Sequence, residues 1–243
     1  MNVRIVLLLS LGVLTLQCGL SLGDDYFNSW DGRKRYINNP IQGVSATITS
    51  YLRPNISDGV FSCAYCMASL APSRWAQAGY YRRNDMPDAK VWAQWKDDNG
   101  TTHEAFWLVP TADHTYKCTY DAVSGIWRFC YDMFPGVDFE FANSQGTSTT
   151  WIPTGVSFSG EIREVGQRFC RVQMVGEPNK KVKFSNMRYL PVGFCFSTVG
   201  CAWQTCMSVP KVWPDTKALW CEPDWEQDAT HAPEYFLIWD KTL

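Results

Sequence analysis

The sequence predicts an all-β protein, a β-sandwich or barrel. Three observations carry that prediction. Short runs of alternating apolar and polar residues recur about every ten residues, divided by Gly, Pro, Asn, Asp and Ser. No stretch of about twelve residues keeps the 3.6-residue period of an amphipathic helix. The composition, 46% apolar, 15% aromatic and 19% charged, is too apolar and aromatic for a disordered chain and supplies a core. A length of 243 residues suits one large sandwich or two small domains.

The elements follow in order. Met1 to Arg4 form a short basic start, and Ile5 to Leu16 form an apolar run. The run is shorter than the roughly 20 residues a spanning helix needs. It ends at Ser21-Leu22-Gly23, small residues suited to signal peptidase, before Asp24-Asp25. Residues 1–23 therefore read as a secretory signal peptide. Gln17 ahead of Cys18 does not fit a lipid-anchoring box, and no later stretch is apolar enough for a membrane span. The product is expected to be secreted, soluble and extracellular. Residues 24–42 are polar and aromatic without a clear period and read as an N-terminal arm.

Residues 43–192 carry the sandwich pattern. Strands are expected over Val44–Leu52, Val60–Leu70, Trp75–Arg82, Val91–Trp95, His103–Val109, Thr115–Tyr120, Gly125–Met133, Val137–Phe141, Thr150–Pro153, Val156–Val165 and Val182–Leu190. Asp97-Asp98-Asn99-Gly100 is a strong turn signal. Thr115 to Tyr131 is the clearest hairpin. A three-residue loop over Val123 to Gly125 would set Cys118 opposite Cys130 and allow a cross-strand disulfide. Residues 193–243 hold Cys195, Cys201, Cys206 and Cys221 among Gly, Pro and Trp, and read as a disulfide-rich C-terminal extension packed on the sandwich.

Ten cysteines, or nine once Cys18 is removed, suit an oxidising compartment. Nine is odd, so one thiol is left over, free or joining two chains as a disulfide-linked dimer. The C-terminal Cys spacings match no zinc pattern, and His103, His114 and His231 are scattered, so neither a metal nor a cofactor is expected. Asn55-Ile56-Ser57 and Asn99-Gly100-Thr101 are glycosylation acceptors in a eukaryotic host. Without residues 1–23, whose only charge is Arg4, the chain carries 21 basic and 24 acidic side chains. A near-neutral chain without a basic stripe argues against nucleic acid as a partner.

Two strands carry candidate chemistry. In Val156–Arg163, alternation puts Ser157, Ser159, Glu161 and Arg163 on a polar face and Val156, Phe158, Gly160 and Ile162 on the other. In Trp75–Tyr81, one face carries Trp75, Gln77, Gly79 and Tyr81, so an amide sits between aromatics beside a glycine that leaves room for a ligand. Gly43-Val44-Ser45-Ala46-Thr47-Ile48, Trp75-Ala76-Gln77-Ala78-Gly79-Tyr80 and Ser159-Gly160-Glu161-Ile162 together resemble the glutamic peptidases of the eqolisin type and their neprosin-group relatives. The resemblance runs from about Gly43 to Tyr189. It does not extend to the Cys-rich region, and the neprosin group has Glu where Gln77 stands.

That resemblance implies a concanavalin-like antiparallel β-sandwich, a jelly roll, and a polypeptide substrate. It makes Gln77 and Glu161 a catalytic pair, with Glu161 as the base that activates water and Gln77 donating to the oxyanion. Trp75, Tyr81 and Trp151 are candidate substrate-binding walls. A carboxylate of ordinary pKa serves as a base mainly in acid; burial against Trp75 or Tyr81 would raise it, and Arg163 would lower it. Two other classes fit the same residues: a non-catalytic lectin-like binder of an extracellular glycan, and a structural extracellular protein.

Overall fold

Strands that alternate apolar and polar side chains have one face to bury, and two such sheets bury them against each other. The computed structural model describes residues 26–49, 51, 59–70, 73–110, 113–134, 137–165, 175–193, 195–196, 200–206, 209–213, 225–228, 230–232 and 234–240. The expected signal peptide and Asn55 lie outside them. Among the described residues there is no helix. The strands are β1 Tyr26–Tyr36, β2 Ile41–Ile48, β3 Gly59–Leu70, β4 Arg74–Arg83, β5 Lys90–Lys96, β6 Thr102–Phe106, β7 His114–Asp121, β8 Ile126–Phe134 and β9 Val137–Asn143. They continue as β10 Gly155–Val165, β11 Val182–Pro191, β12 Cys195–Phe196, β13 Gly200–Cys201, β14 Gln204–Thr205, β15 Val209–Trp213, β16 Trp225–Asp228 and β17 Tyr235–Asp240.

One sheet runs β15-β1-β10-β3-β4-β5-β6, and the other runs β16-β17-β11-β2-β7-β8-β9 with β14 also pairing β11. All the pairings are antiparallel, and β12 and β13 form a separate small ribbon. The first sheet offers the core mainly small side chains, Ala64, Ala68, Ala76, Ala78 and Ala93, alongside Tyr80, Trp95 and Phe158. The second answers with Tyr116, Trp127, Phe129, Tyr131, Phe184 and Phe236. Small residues facing large rings let the layers interdigitate at the density of a protein interior. Trp95 stacks on Phe129 across the core at 5.3 Å, and Phe184 stacks on Phe236 at 4.7 Å.

The expected strands recur with four differences. Residues 26–36 are not an arm but an interior strand of the first sheet, paired with β10 on one side and β15 on the other. Their polar sequence hid them, because the inward positions include the buried Asp31 and Arg33. Among the described residues of 193–243, β15 extends the first sheet and β16 and β17 extend the second, so these strands are part of the sandwich rather than a tail laid on it. Thr150–Pro153 is irregular.

The fourth difference concerns the β7–β8 hairpin. Its register pairs Asp121 with Ile126, which leaves a four-residue loop closed by Gly125 N–H donating to Asp121 C=O at 2.8 Å. One extra loop residue shifts the ladder by one and turns every side chain to the other face. Cys118 therefore opposes Phe129 inside the core, and Cys130 opposes Lys117 outside it. Both thiols are free, as are Cys63, Cys66 and Cys206, so the Cys118–Cys130 disulfide does not form; Cys201 is disulfide-bonded.

Candidate active site

The outer face of the first sheet is built by the alternate residues that do not enter the core. The ladder sets Glu161 of β10 beside Cys63 of β3, and Cys63 beside Tyr81 of β4. In the next row Ser159, Tyr65, Gly79, Trp92 and Phe106 lie side by side. Cys63, Tyr65, Tyr81 and Trp92 form a buried cluster of their own, flanked by Phe61, Met67 and Met86. Its rings touch: Tyr81 lies 5.3 Å from Trp92 and 5.2 Å from Phe61, and Tyr65 meets Trp92 edge-on at 6.4 Å. Gly79 is required here, because a Cβ on it would fall 1.9 Å from the Ala64 carbonyl oxygen.

Glu161 is half-buried against this cluster, and the Tyr65 hydroxyl donates to its Oε2 at 3.3 Å. Burial pushes the Glu161 carboxyl up to about 7, against the opposing pull of the Tyr65 hydrogen bond and the Arg163 charge. Burial also drives the Tyr65 hydroxyl well above its ordinary range, helped by the neighbouring Glu161 charge, so Tyr65 stays a donor. The Cys63 thiol is raised for the same two reasons and is held as a neutral thiol. The balance expected between burial and Arg163 is thus won by burial, with Tyr81 in the aromatic wall.

Gln77 lies on the same face but not beside Glu161. It sits four residues from Tyr81 along β4, a step of about 13 Å at strand rise, with two strand spacings, about 10 Å, across the sheet. Its amide donates to Gln94 Oε1 at 2.9 Å, and Gln94 in turn donates to Glu104. The face therefore carries two stations: a desolvated carboxyl with a phenol at one end, and a Gln77–Gln94–Glu104 ladder at the other.

No family model matches the chain, and no curated protein does. Solved structures do match. Scytalido-glutamic peptidase with a peptide-based transition-state analogue superimposes with a TM-score of 0.55 at 11% identity, covering 89% of this chain and 100% of that one. SCP-B, a member of the eqolisin family of peptidases in complex with the tripeptide Ala-Ile-His, gives 0.53 at 12% identity with the same coverage. The fold is that of the glutamic peptidases.

Within this sandwich the other candidates separate. Tyr81 belongs to the wall around Glu161. Trp75 is half-buried on β4 opposite Ser69, beyond Gln77 and away from Glu161. Trp151 is not a cleft wall: it is 6% exposed, packs on Trp127 at 5.1 Å and donates its Nε1–H to the Lys96 carbonyl. Asn99 is exposed in the turn between β5 and β6, open to the modification its tripeptide suggests. No group of three or more His, Cys, Asp or Glu among the described residues could hold a metal.

Sequence reasoning missed Tyr65, Trp92, Gln94 and Glu104. Alternation in β3 and β5 assigns each a face, but their nearness to Glu161 or Gln77 depends on the strand order, in which β10 lies next to β3 across 96 residues of chain.

Proposed function

We propose that the chain is a secreted glutamic-peptidase-like hydrolase acting on peptide bonds, with Glu161 as the general base. The observation that carries this is the Glu161 carboxyl, raised to about 7 by burial and hydrogen-bonded by Tyr65, on an outer sheet face. A base whose pKa lies near the working pH combines a useful ionised fraction with enough basicity to take a proton from water. In this reading Glu161 accepts that proton as the water attacks the carbonyl, then returns it to the leaving nitrogen. Tyr65, kept protonated, turns its O–H toward the oxygen that gains charge.

The dyad expected from the resemblance is modified accordingly. Gln77 lies too far along β4 to share one water with Glu161, so the oxyanion role passes to Tyr65. Gln77, Gln94 and Glu104 instead offer amide and carboxylate groups to the backbone of an extended substrate, about four residues from the bond being cut. Secretion and an extracellular substrate follow from residues 1–23 read as a signal peptide. The likeness to two peptidases solved with peptide ligands supports the substrate class.

The test is cleavage of a peptide library from pH 4 to pH 9, read by mass spectrometry, by the wild type and by Glu161→Gln, Tyr65→Phe and Gln77→Ala. The expected result is cleavage that rises through about pH 7. It falls at least about 10³-fold in Glu161→Gln and about 10²-fold in Tyr65→Phe. In Gln77→Ala the loss appears mainly in KM. Cleavage that survives Glu161→Gln, or no cleavage at any pH, overturns the proposal.

A further inference from the structure

The outer face of the second sheet carries a cavity unrelated to Glu161. It encloses about 250 Å3 and is lined by Ser45, Thr115, Lys117, Asp132, Asp138, Asn186, Arg188 and Trp203. That is below the roughly 300–1,000 Å3 of sites for drug-sized ligands, a size for one small ring. The ladder explains the convergence. Ser45 of β2 lies between Arg188 of β11 and Lys117 of β7, so one row across three strands supplies the floor and two rims.

Two features show a built site rather than an incidental dent. The first is a bulge in β11 between Ser185 and Arg188, within which Asn186 takes a positive φ of 50°. Bulges of this kind re-aim side chains, and a non-glycine residue held there stores strain that tends to gather at functional sites. The second is the Ser45 hydroxyl. Ser45 is 3% exposed, lies on the cavity floor, and makes no side-chain hydrogen bond among the described residues. That hydroxyl opens into the cavity, where it can donate to or accept from a bound ligand.

The remaining groups define the ligand. Lys117 is bound to both oxygens of Asp138, so that pair presents little net charge. Asp132 Oδ1 accepts the Thr115 N–H at 2.5 Å and faces His114, leaving Oδ2 as an acceptor. Asn186 donates to Thr47, leaving its carbonyl oxygen. Arg188 is exposed and has no ion pair among the described residues. Trp203 adds an aromatic wall whose Cη2 reaches over Gly43, where a Cβ would stand only 3.0 Å away. The two cations and two carboxylates balance, one apolar ring lies beside them, and donors and acceptors alternate around a hydroxyl floor.

We propose that this cavity binds one neutral sugar residue of a glycan. The apolar face of the pyranose would lie against Trp203, and its hydroxyls would pair with Ser45, Asp132, Asn186 and Arg188. A hydrolase with such a site on its opposite sheet would be held on glycosylated material while Glu161 works on the other face.

The test uses the full secreted chain on an array of neutral and acidic glycans, followed by calorimetric titration with the methyl glycoside of the best neutral hit. The expected result is binding of neutral glycans that weakens at least tenfold in Trp203→Ala and in Arg188→Met and is unchanged in Glu161→Gln. Circular dichroism confirms that each variant is folded, and Trp203→Phe, keeping a ring, retains part of the affinity if Trp203→Ala unfolds. Binding confined to acidic glycans, binding indifferent to Trp203 and Arg188, or no binding by the folded wild type each overturns the proposal. None of these outcomes depends on peptide cleavage.

Discussion

Glu161 on the outer face of the first sheet and the Asp121 and Glu140 carboxylates on the second meet opposite surroundings. On the first sheet, Glu161 lies against Cys63, Tyr65, Tyr81 and Trp92, and burial pushes it up to about 7. On the second, Asp121 is pulled down to about 2 by the Ser124 hydroxyl and by Arg128, which bonds it at 3.1 Å. Glu140 is lowered as well: burial raises it, but the Asn143 amide and Arg128, at 2.8 Å each, outweigh that. The lesson is that outward position on a strand does not set the chemistry of a carboxyl. What sets it is whether the neighbouring strands bring rings or donors. A carboxylate surrounded by donors is settled and inert, whereas one surrounded by rings is poised to take a proton.

The largest effect that sharpens this contrast is the loss of cleavage in Glu161→Gln, set beside Glu140→Gln, which should leave cleavage unchanged in the same assay. Next comes Tyr81→Ala, which admits water to the Glu161 carboxyl. Its cleavage profile should move its inflection from about 7 toward the ordinary carboxylate value by one unit or more. An unmoved profile would mean that Tyr81 does not desolvate Glu161.

Stability should follow the same division with opposite signs. Glu161 has a folded pKa above its unfolded value, so the native state binds the extra proton. Its contribution is fully present below about pH 4.5 and is lost as pH rises through about 7, by at most about 3 kcal/mol. Glu161→Gln should therefore melt higher than the wild type at pH 8 and about the same at pH 4. Glu140 is depressed, so its contribution is present above the ordinary carboxylate pKa and lost as pH falls through the folded value. The smallest effect is Glu140→Gln at pH 7, a loss of no more than about 0.5 kcal/mol in denaturant melts, as a part-exposed ion pair warrants.

Much of this arrangement is legible in the chain and part of it is not. Alternation in Val156–Arg163 and Trp75–Tyr81 places Glu161, Gln77, Gly79 and Tyr81 on one face, and the fold class follows from the same period. Register is less legible. One loop residue more than expected in the β7–β8 hairpin separates Cys118 from Cys130, and four residues along β4 separate Gln77 from Glu161. Strand β1 is hidden because its inward positions include Asp31 and Arg33, so the apolar period that marks a half-buried strand is missing. Tyr65 and Trp92 reach Glu161 only through the order β10-β3-β4-β5, a long-range pairing no local pattern encodes.

The most direct measurement is a carbon-13 NMR titration of the glutamate side-chain carboxyls, with Glu161 assigned by its absence in Glu161→Gln. A midpoint near 7 for Glu161, with Glu140 titrating below the ordinary carboxylate value, is the predicted result. A Glu161 midpoint near 4.5 would contradict it, because the aromatic face would then not desolvate the carboxyl and the general-base role would lose its physical footing.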